Sequence, residues 1–207
     1  MREPAEEFEY ANCNITIDYD DSPESPREWD NLGTMVCWHS RYNLGDSHSF
    51  DDPQEFLNTV EPNDIVLPLY LYDHSGITMS TTGFSCPWDS GQVGYIHITA
   101  EKIREEYSVK RVSKKLKERV TNYLVGEVET YDQYLTGDVY GYTVEHKKSG
   151  EEDSCWGFYG IDFAIEEAKS IAEYFNREHT KSKQLKVKKL ISNHVPLNVR
   201  QDIISAI

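Results

Sequence analysis

The spacing of the apolar residues changes near residue 100, and this change constrains the fold more than any other feature of the sequence. Before it, short segments alternate apolar and polar residues, as strands with one buried face do. The alternation is clear around Cys13, Ile15 and Ile17. After it, apolar residues recur at intervals of three and four, the spacing of one helix face. The sequence therefore predicts an α+β fold, mainly antiparallel sheet in the first half, packed by two long amphipathic helices from the second half.

Five segments of the first half are predicted to be strands. They cover residues 11–18, 34–40, 64–74, 77–82 and 92–100, with a hairpin turn at Ser75 and Gly76 before the fourth. Pro68 removes a ladder hydrogen bond from the third strand, which is therefore predicted to lie at a sheet edge or to carry a bulge. Pro53 favours a short helix in PQEFLNTV, because proline is accepted in a first helical turn.

Two helices and a hairpin are predicted in the second half. The first helix covers residues 110–136, and its apolar face includes Tyr123 and Leu124. The second covers residues 161–178, with acidic residues near its start, where the helix dipole favours them. The segment 138–160 between them is predicted to form a Tyr-rich hairpin.

The same pattern predicts how the chain divides. We expect one α+β domain over residues 1–179, because 207 residues lie within the range of one domain with a small addition. A basic C-terminal appendage is expected over residues 180–207. It contains the Lys-rich segment 181–189 and a short helix beginning at Pro196.

The acidic excess is confined to the first half of the chain. Residues 1–100 carry 18 Asp and Glu against 3 Arg and no Lys, whereas residues 101–207 carry 18 of each sign. Such a field attracts cationic surfaces and repels the phosphates of nucleic acids. A basic protein surface is therefore the expected partner, and direct binding of nucleic acid is not expected.

The segment REWDNLGTMVCWHSRYNLGD, residues 27–46, concentrates two Trp, a Cys, a His, two Arg and three acidic residues in twenty positions. We interpret it as a short strand between two turns whose outward side chains form a recognition surface. Trp29 and Arg41 are the predicted anchors, since Trp and Arg dominate interface energetics. The predicted electrostatic footprint is Asp18, Asp20, Asp21, Glu24, Glu28, Asp30, Asp46, Asp51 and Asp52.

Signals of catalysis are weak in this sequence. The four cysteines form no Cys-x-x-Cys pair, no metal-ligand spacing is present, and neither a Walker A loop nor a Gly-x-Ser-x-Gly elbow occurs. No metal and no cofactor are predicted. Cys37 or Cys86 beside a histidine is the fallback nucleophile.

An internal similarity leaves an enzymatic alternative open. WDNLGTMVCWH and WDSGQVGYIH both run from Trp-Asp through a turn into a strand that ends in His. If the two strands are neighbours, Asp30, His39, Asp89 and His97 could line the cleft of a small hydrolase or of an enzyme that binds a nucleotide ligand.

The N-terminal residues and the absence of long apolar runs predict a cytoplasmic protein. MREPAEEFEY is acidic where a secretory signal would be basic and then apolar. No apolar run approaches the roughly 20 residues needed to cross a bilayer, so no membrane association is expected.

Three long segments carry a resemblance: SPREWDNLGTMVCWHSRYNLGD, CPWDSGQVGYIH and GDVYGYTVE. Over residues 22 to about 160 they resemble a family of small acidic proteins carried by phages, plasmids and other mobile elements. The resemblance implies an accessory protein acting inside an infected or conjugated bacterium, and it supplies no catalytic residues. A nucleic-acid mimic that inhibits a host defence or nucleic-acid-handling enzyme fits this setting. A virion structural or assembly protein, forming oligomers through the hairpin at 138–160, is a further alternative.

Overall fold

The computed structural model describes residues 3–195, and this part of the chain contains eight strands and four α-helices. The strands are β1 (Glu6–Tyr10), β2 (Cys13–Tyr19), β3 (Thr34–Cys37), β4 (Ile65–Asp73), β5 (Ile77–Ser80), β6 (Ser90–Ile98), β7 (Val139–His146) and β8 (Glu152–Tyr159). The helices are α1 (Pro53–Leu57), α2 (Ala100–Glu106), α3 (Lys114–Thr136) and α4 (Ile161–His194), and a 3-10 helix spans Pro26–Glu28. The predicted α+β class is confirmed.

The chain divides into two compact units. The terminal unit combines residues 1–21 with residues 139–207, and the central unit is Ser22–Asp138. The predicted boundary at 179/180 falls inside α4, which runs unbroken from Ile161 to His194. The helix predicted to begin at Pro196 lies outside the described residues. The single domain over 1–179 and the appendage over 180–207 stay predictions.

The terminal unit is an antiparallel sheet with one helix packed on it. The strand order is β1-β2-β7-β8, and α4 packs against β2 and β7. Ala164, Ala168 and Ala172 are fully buried and lie one turn apart, so their small side chains let the helix approach the sheet closely. The opposing sheet residues of this core include Ile15 and Val144.

The hairpin predicted at 138–160 forms β7 and β8, and β8 is an edge strand. Trp156 on β8 is exposed and lies over Gly141 of β7, where a Cβ would come within 2.1 Å of the indole ring. Glycine at this position therefore leaves room for the ring, and a larger residue would displace it. Assembly of copies through this hairpin stays a prediction.

The central unit is a second antiparallel sheet, of order β3-β6-β4-β5, covered on both faces. Alternation along β6 places Ile96 on one face and Tyr95 and His97 on the other. Ile96 packs in a core with Leu124 of α3. The rings of Tyr95 and His97 contact the fully buried Phe56 of α1, with centroid distances of 5.5 and 4.9 Å.

Several predicted boundaries needed correction. The strand predicted at 34–40 ends at Cys37, and the helix predicted from residue 110 begins at Lys114, where the Ser113 side chain caps Leu116 N–H at 3.2 Å. β1 and α2 were not predicted, and the alternation in EEFEY of β1 is short, with Phe8 and Tyr10 as its only apolar positions.

Pro68 lies where strand pairing is one-sided. It is opposite Tyr95 of β6, whereas pairing with β5 begins only at Tyr70, and the register shifts between Leu69 and Tyr70. β4 lies between β6 and β5, so the predicted edge position is wrong, but the predicted bulge occurs shortly after Pro68. Proline has no backbone N–H, and because β5 does not pair with β4 at Pro68, no hydrogen bond to β5 is lost there.

Candidate protein-interaction surface

Arg27 is the centre of a buried ion network in the central unit. Its side chain is 5% exposed, and it donates from Nε and Nη2 to the two carboxylate oxygens of Asp46 at 2.9 and 2.6 Å. Nη1 donates to Glu127 Oε2 at 3.2 Å. Burial by itself would lower the pKa of Arg27, but the hydrogen bonds and charges of Asp46 and Glu127 outweigh it and raise that pKa.

The two carboxylates of this network also hold the backbone. Asp46 Oδ2 accepts from Met35 N–H at 2.8 Å, and Glu127 Oε1 accepts from Leu32 N–H at 2.7 Å. Gly33 lies against α3, where a Cβ would come within 2.5 Å of Leu124 Cδ2. The loop before β3 is therefore tied to both α3 and the segment after β3 by charge-assisted bonds.

A pocket of about 410 Å³ lies between this loop and α3, and we call it the Trp29 pocket. Its lining residues are Pro26, Trp29, Asp30, Asn31, Asn122, Tyr123, Gly126, Glu127 and Thr130. Trp29 is 44% exposed and Tyr123 is 56% exposed. Asp30 and Tyr123 also line an adjoining pocket of about 270 Å³. Both aromatic side chains thus line a concave part of the surface and are partly exposed.

The chemistry of the Trp29 pocket suits a cationic side chain. Trp and Tyr ring faces attract ammonium and guanidinium groups. Asp30 is exposed, and within residues 3–195 its carboxylate forms no ion pair. An arginine or lysine entering the pocket would gain both the ring contact and a carboxylate partner.

The predicted partner-binding residues are divided between the two units. Asp18, Asp20 and Asp21 belong to the terminal unit, and the other eight belong to the central unit. Trp29 and Asp30 meet at the Trp29 pocket, and the exposed Glu28 precedes them at the end of the 3-10 helix. Whether the remaining carboxylates join them in one acidic face stays a prediction.

Asp46, Asp52 and Arg41 are among the predicted residues that have partners within the protein. Asp46 was predicted as part of the surface, and its two carboxylate oxygens accept from Arg27 and from the backbone. Its part in partner binding stays a prediction. Asp52 caps α1 by accepting from Glu55 N–H at 2.9 Å. Arg41 is exposed and pairs with Asp73.

The cleft predicted from Asp30, His39, Asp89 and His97 does not form. β3 and β6 are neighbours as expected, but they are antiparallel, with Thr34 opposite His97. Asp89 precedes β6 and His97 lies at its far end, a separation of about 26 Å at the usual rise per residue. His39 Nδ1 accepts from Arg41 N–H and from the next N–H, which makes it a turn residue.

The fallback cysteine nucleophiles lack the geometry for that role. Burial, with a contribution from the charge of Asp46, raises the pKa of the Cys37 thiol to about 12. Cys86 Sγ is 3.6 Å from Asp89 Oδ2, and the histidine nearby, His74, contacts that same oxygen rather than the thiol. Over residues 3–195, no group of three or more His, Cys, Asp or Glu could hold a metal ion.

The exposure of two aromatic side chains was not predicted from the sequence. Tyr123 was assigned to the buried face of α3, but it lies at the pocket, because the face that contacts the sheet is centred on Val120, Leu124 and Val128. Trp88, in the loop before β6, is 92% exposed. No signal in the sequence distinguishes these aromatic residues from core residues.

No protein-family model, curated protein or solved structure matches the chain. Within residues 3–195, none of the helices has the length and apolar character required for a membrane span.

Proposed function

We propose that the protein is a non-enzymatic acidic binding protein that captures a basic protein surface, with the Trp29 pocket as its point of attachment. The observation that supports this most directly is the pairing of exposed Trp29 and Tyr123 with Asp30 around one pocket. Aromatic residues in concave sites are typical energetic centres of protein interfaces.

Rigidity of the pocket supports the same proposal. The loop that carries Trp29 is fixed by the bonds of Arg27 to Asp46 and of Glu127 to the backbone. A surface held in its binding conformation loses less entropy on association. The buried charged residues thus hold the loop in one conformation and fix the position of the exposed Trp29 and Asp30.

Charge defines the class of partner. The acidic first half would speed encounter with a cationic surface within a Debye length of about 8 Å at physiological salt. Basic grooves are typical of enzymes that handle nucleic acids, and the resemblance to proteins of mobile elements favours a bacterial host enzyme of that kind, including a defence enzyme. An arginine of such a groove is the group that we expect in the Trp29 pocket.

The experiment is capture of partners from a bacterial lysate by the immobilised full chain, at low and at high salt. We expect a defined set of basic proteins to be retained at low salt and released at high salt, because exposed charge pairs are screened. Trp29→Ala and Asp30→Lys should each abolish capture while the thermal unfolding midpoint stays close to that of the unmodified protein.

Trp88→Ala is the matched control, since it removes an exposed tryptophan outside the Trp29 pocket. We expect it to retain capture. Loss of capture in Trp88→Ala with full capture in Trp29→Ala would place the contact elsewhere. Retention that is independent of salt would overturn the charge argument.

A further inference from the structure

A concentrated basic segment joins α2 to α3 in this acidic protein. Residues 104–119 contain seven Lys and Arg in sixteen positions. The central unit as a whole carries 19 Asp and Glu against 10 Lys and Arg, a formal charge of −9. The same sixteen positions contain three Glu, so the segment carries a net charge of +4 within a unit of net negative charge.

Part of this segment closes around a pocket of about 280 Å³ in the central unit. The pocket is lined by Asn63, Ala100, Arg104, Lys110, Arg111, Val112 and Lys117. Four of the seven lining residues are cations, and none is acidic. We call this the basic pocket.

The four cations of the basic pocket are not neutralised by the protein. Within residues 3–195, none of their side chains forms an ion pair or a hydrogen bond. Asp64 follows the lining residue Asn63, but its two oxygens accept backbone N–H groups, from Ala100 at 2.8 Å and from Glu61 at 2.9 Å. Four like charges around one concavity repel one another, and a bound anion would relieve that repulsion.

The start of α3 adds to the positive potential. Lys117 lies in the first turn of this 23-residue helix, where the helix dipole is already positive. Cations at that end destabilise the helix, and the sequence places several there. An anion in the basic pocket would offset the dipole and the cations together.

We propose that the basic pocket binds a small anion carrying two or more adjacent phosphate groups. Arg104 and Arg111 can each pair with phosphate oxygens in bidentate geometry, and the two lysines supply point charges. The lining contains no aromatic side chain on which a nucleobase could stack, so recognition is of the phosphates. A volume of about 280 Å³ is at the small end of ligand sites, which suits a di- or triphosphate group.

A long nucleic acid fits less well than a small polyphosphate. Its phosphates would extend beyond the basic pocket over a unit of net negative charge, and that repulsion grows with the length of the strand. A small anion meets the local cations alone. The proposal is also independent of the Trp29 pocket, which shares no lining residue with the basic pocket.

The test is isothermal titration of the full chain with inorganic triphosphate, pyrophosphate and orthophosphate at low salt. We expect triphosphate and pyrophosphate to bind at least about tenfold more tightly than orthophosphate, because each added charge-assisted bond contributes about 1.5 kcal/mol or more. A nucleoside triphosphate should bind with the affinity of inorganic triphosphate. Much tighter binding of the nucleoside form would show that the base is recognised and overturn the assignment.

Two double variants distinguish binding in the basic pocket from general electrostatic attraction by the surrounding cations. Lys110→Gln with Arg111→Gln removes two lining cations, and Lys114→Gln with Lys115→Gln removes two neighbouring exposed cations that do not line the pocket. We expect a loss of about tenfold or more in triphosphate affinity for the first variant and a loss of less than about threefold for the second. Circular dichroism confirms that both variants fold.

Three results would overturn the proposal. Equal losses in the two double variants would mean that general electrostatics, and not the basic pocket, attracts the anion. No detectable binding of any phosphate would exclude the site. Tighter binding of a single-stranded RNA oligomer than of triphosphate, lost equally in both variants, would make this surface a nucleic-acid interface instead.

Discussion

Arg27 and Asp46, the first and last residues of the segment 27–46, form a buried bidentate ion pair with N···O distances of 2.9 and 2.6 Å. This pair explains part of the unusual composition of the segment, because the charged residues at its two ends bind each other and stabilise the loop. Trp29 and Asp30 lie between them and face the Trp29 pocket. The density of polar and aromatic residues thus reflects a buried support and an exposed surface in one loop.

The Arg27 pair should contribute far more stability than the Arg41 pair. Asp46→Ala leaves a buried guanidinium short of its main partner, and we expect a loss of about 3 kcal/mol in the free energy of unfolding. Arg41→Ala removes a side chain that is 66% exposed and should cost less than about 1 kcal/mol. Urea denaturation of both variants measures the difference. Equal losses would mean that the buried network does not support the loop.

Two glycines of β6 should differ sharply in their tolerance of alanine. At Gly94 a Cβ would lie 2.2 Å from Val36 O on the neighbouring strand, whereas at Gly91 nothing lies within 4 Å. We expect Gly94→Ala to destabilise the central unit by about 1 to 3 kcal/mol, through overpacking against backbone. Gly91→Ala should be within about 1 kcal/mol of neutral. Thermal unfolding of the two variants tests this, and a neutral Gly94→Ala would contradict the close strand approach.

His97 should make stability depend on pH. Burial against Phe56 lowers the pKa of His97, with smaller opposing contributions from Asp64 and Asp46. Below about pH 6.5 the unfolded chain therefore binds more protons than the folded chain. The contribution of neutral His97 to the free energy of unfolding is complete above that pH, and it decreases as the pH falls toward the lower pKa of the folded state.

The matching variant is His97→Phe, which keeps an aromatic ring against Phe56 and cannot titrate. Urea unfolding between pH 7.5 and pH 5 should show a smaller loss of stability in this variant than in the unmodified protein, with the two curves diverging below about pH 6.5. An identical pH dependence in both proteins would contradict the assignment of His97 as a neutral, half-buried histidine.

The cysteines should differ in reactivity toward an alkylating agent. Cys37 has a pKa raised to about 12 by burial, so almost none of it is thiolate at pH 8, whereas Cys155 is exposed on β8. We expect iodoacetamide to label Cys155 first and Cys37 only after unfolding in urea, as read by peptide mass spectrometry. Early labelling of Cys37 would contradict its burial and reopen it as a candidate nucleophile.

Local patterns in the sequence were sufficient for most elements. Alternation around Cys13, Ile15 and Ile17 identified β2, and the spacing of three and four identified α3 and the first part of α4. Pro53 and Ser75 marked the start of α1 and the turn between β4 and β5. These features depend on a few neighbouring residues, so they can be predicted without any tertiary information.

Side-chain roles were harder to predict than elements. Asp46 and Asp30 are both acidic residues in loops, yet one is bonded to a buried arginine and the other faces solvent. Tyr123 and Leu124 are adjacent on α3, and a rotation of about 100° between them separates the Trp29 pocket from the core. Composition cannot resolve such differences, because they depend on which surface the element packs against.

The sequence by itself determined the α+β class, the antiparallel strands, the two long helices and the segregation of charge, because each follows from local periodicity or from counting. Tertiary structure decided which charges are buried, which aromatic residues are exposed and which cations converge. Arg27 meets Glu127 across 100 positions of the chain, and Lys110 lines a pocket with Asn63. Contacts between residues so far apart in the chain are determined by tertiary packing, and no local sequence pattern predicts them.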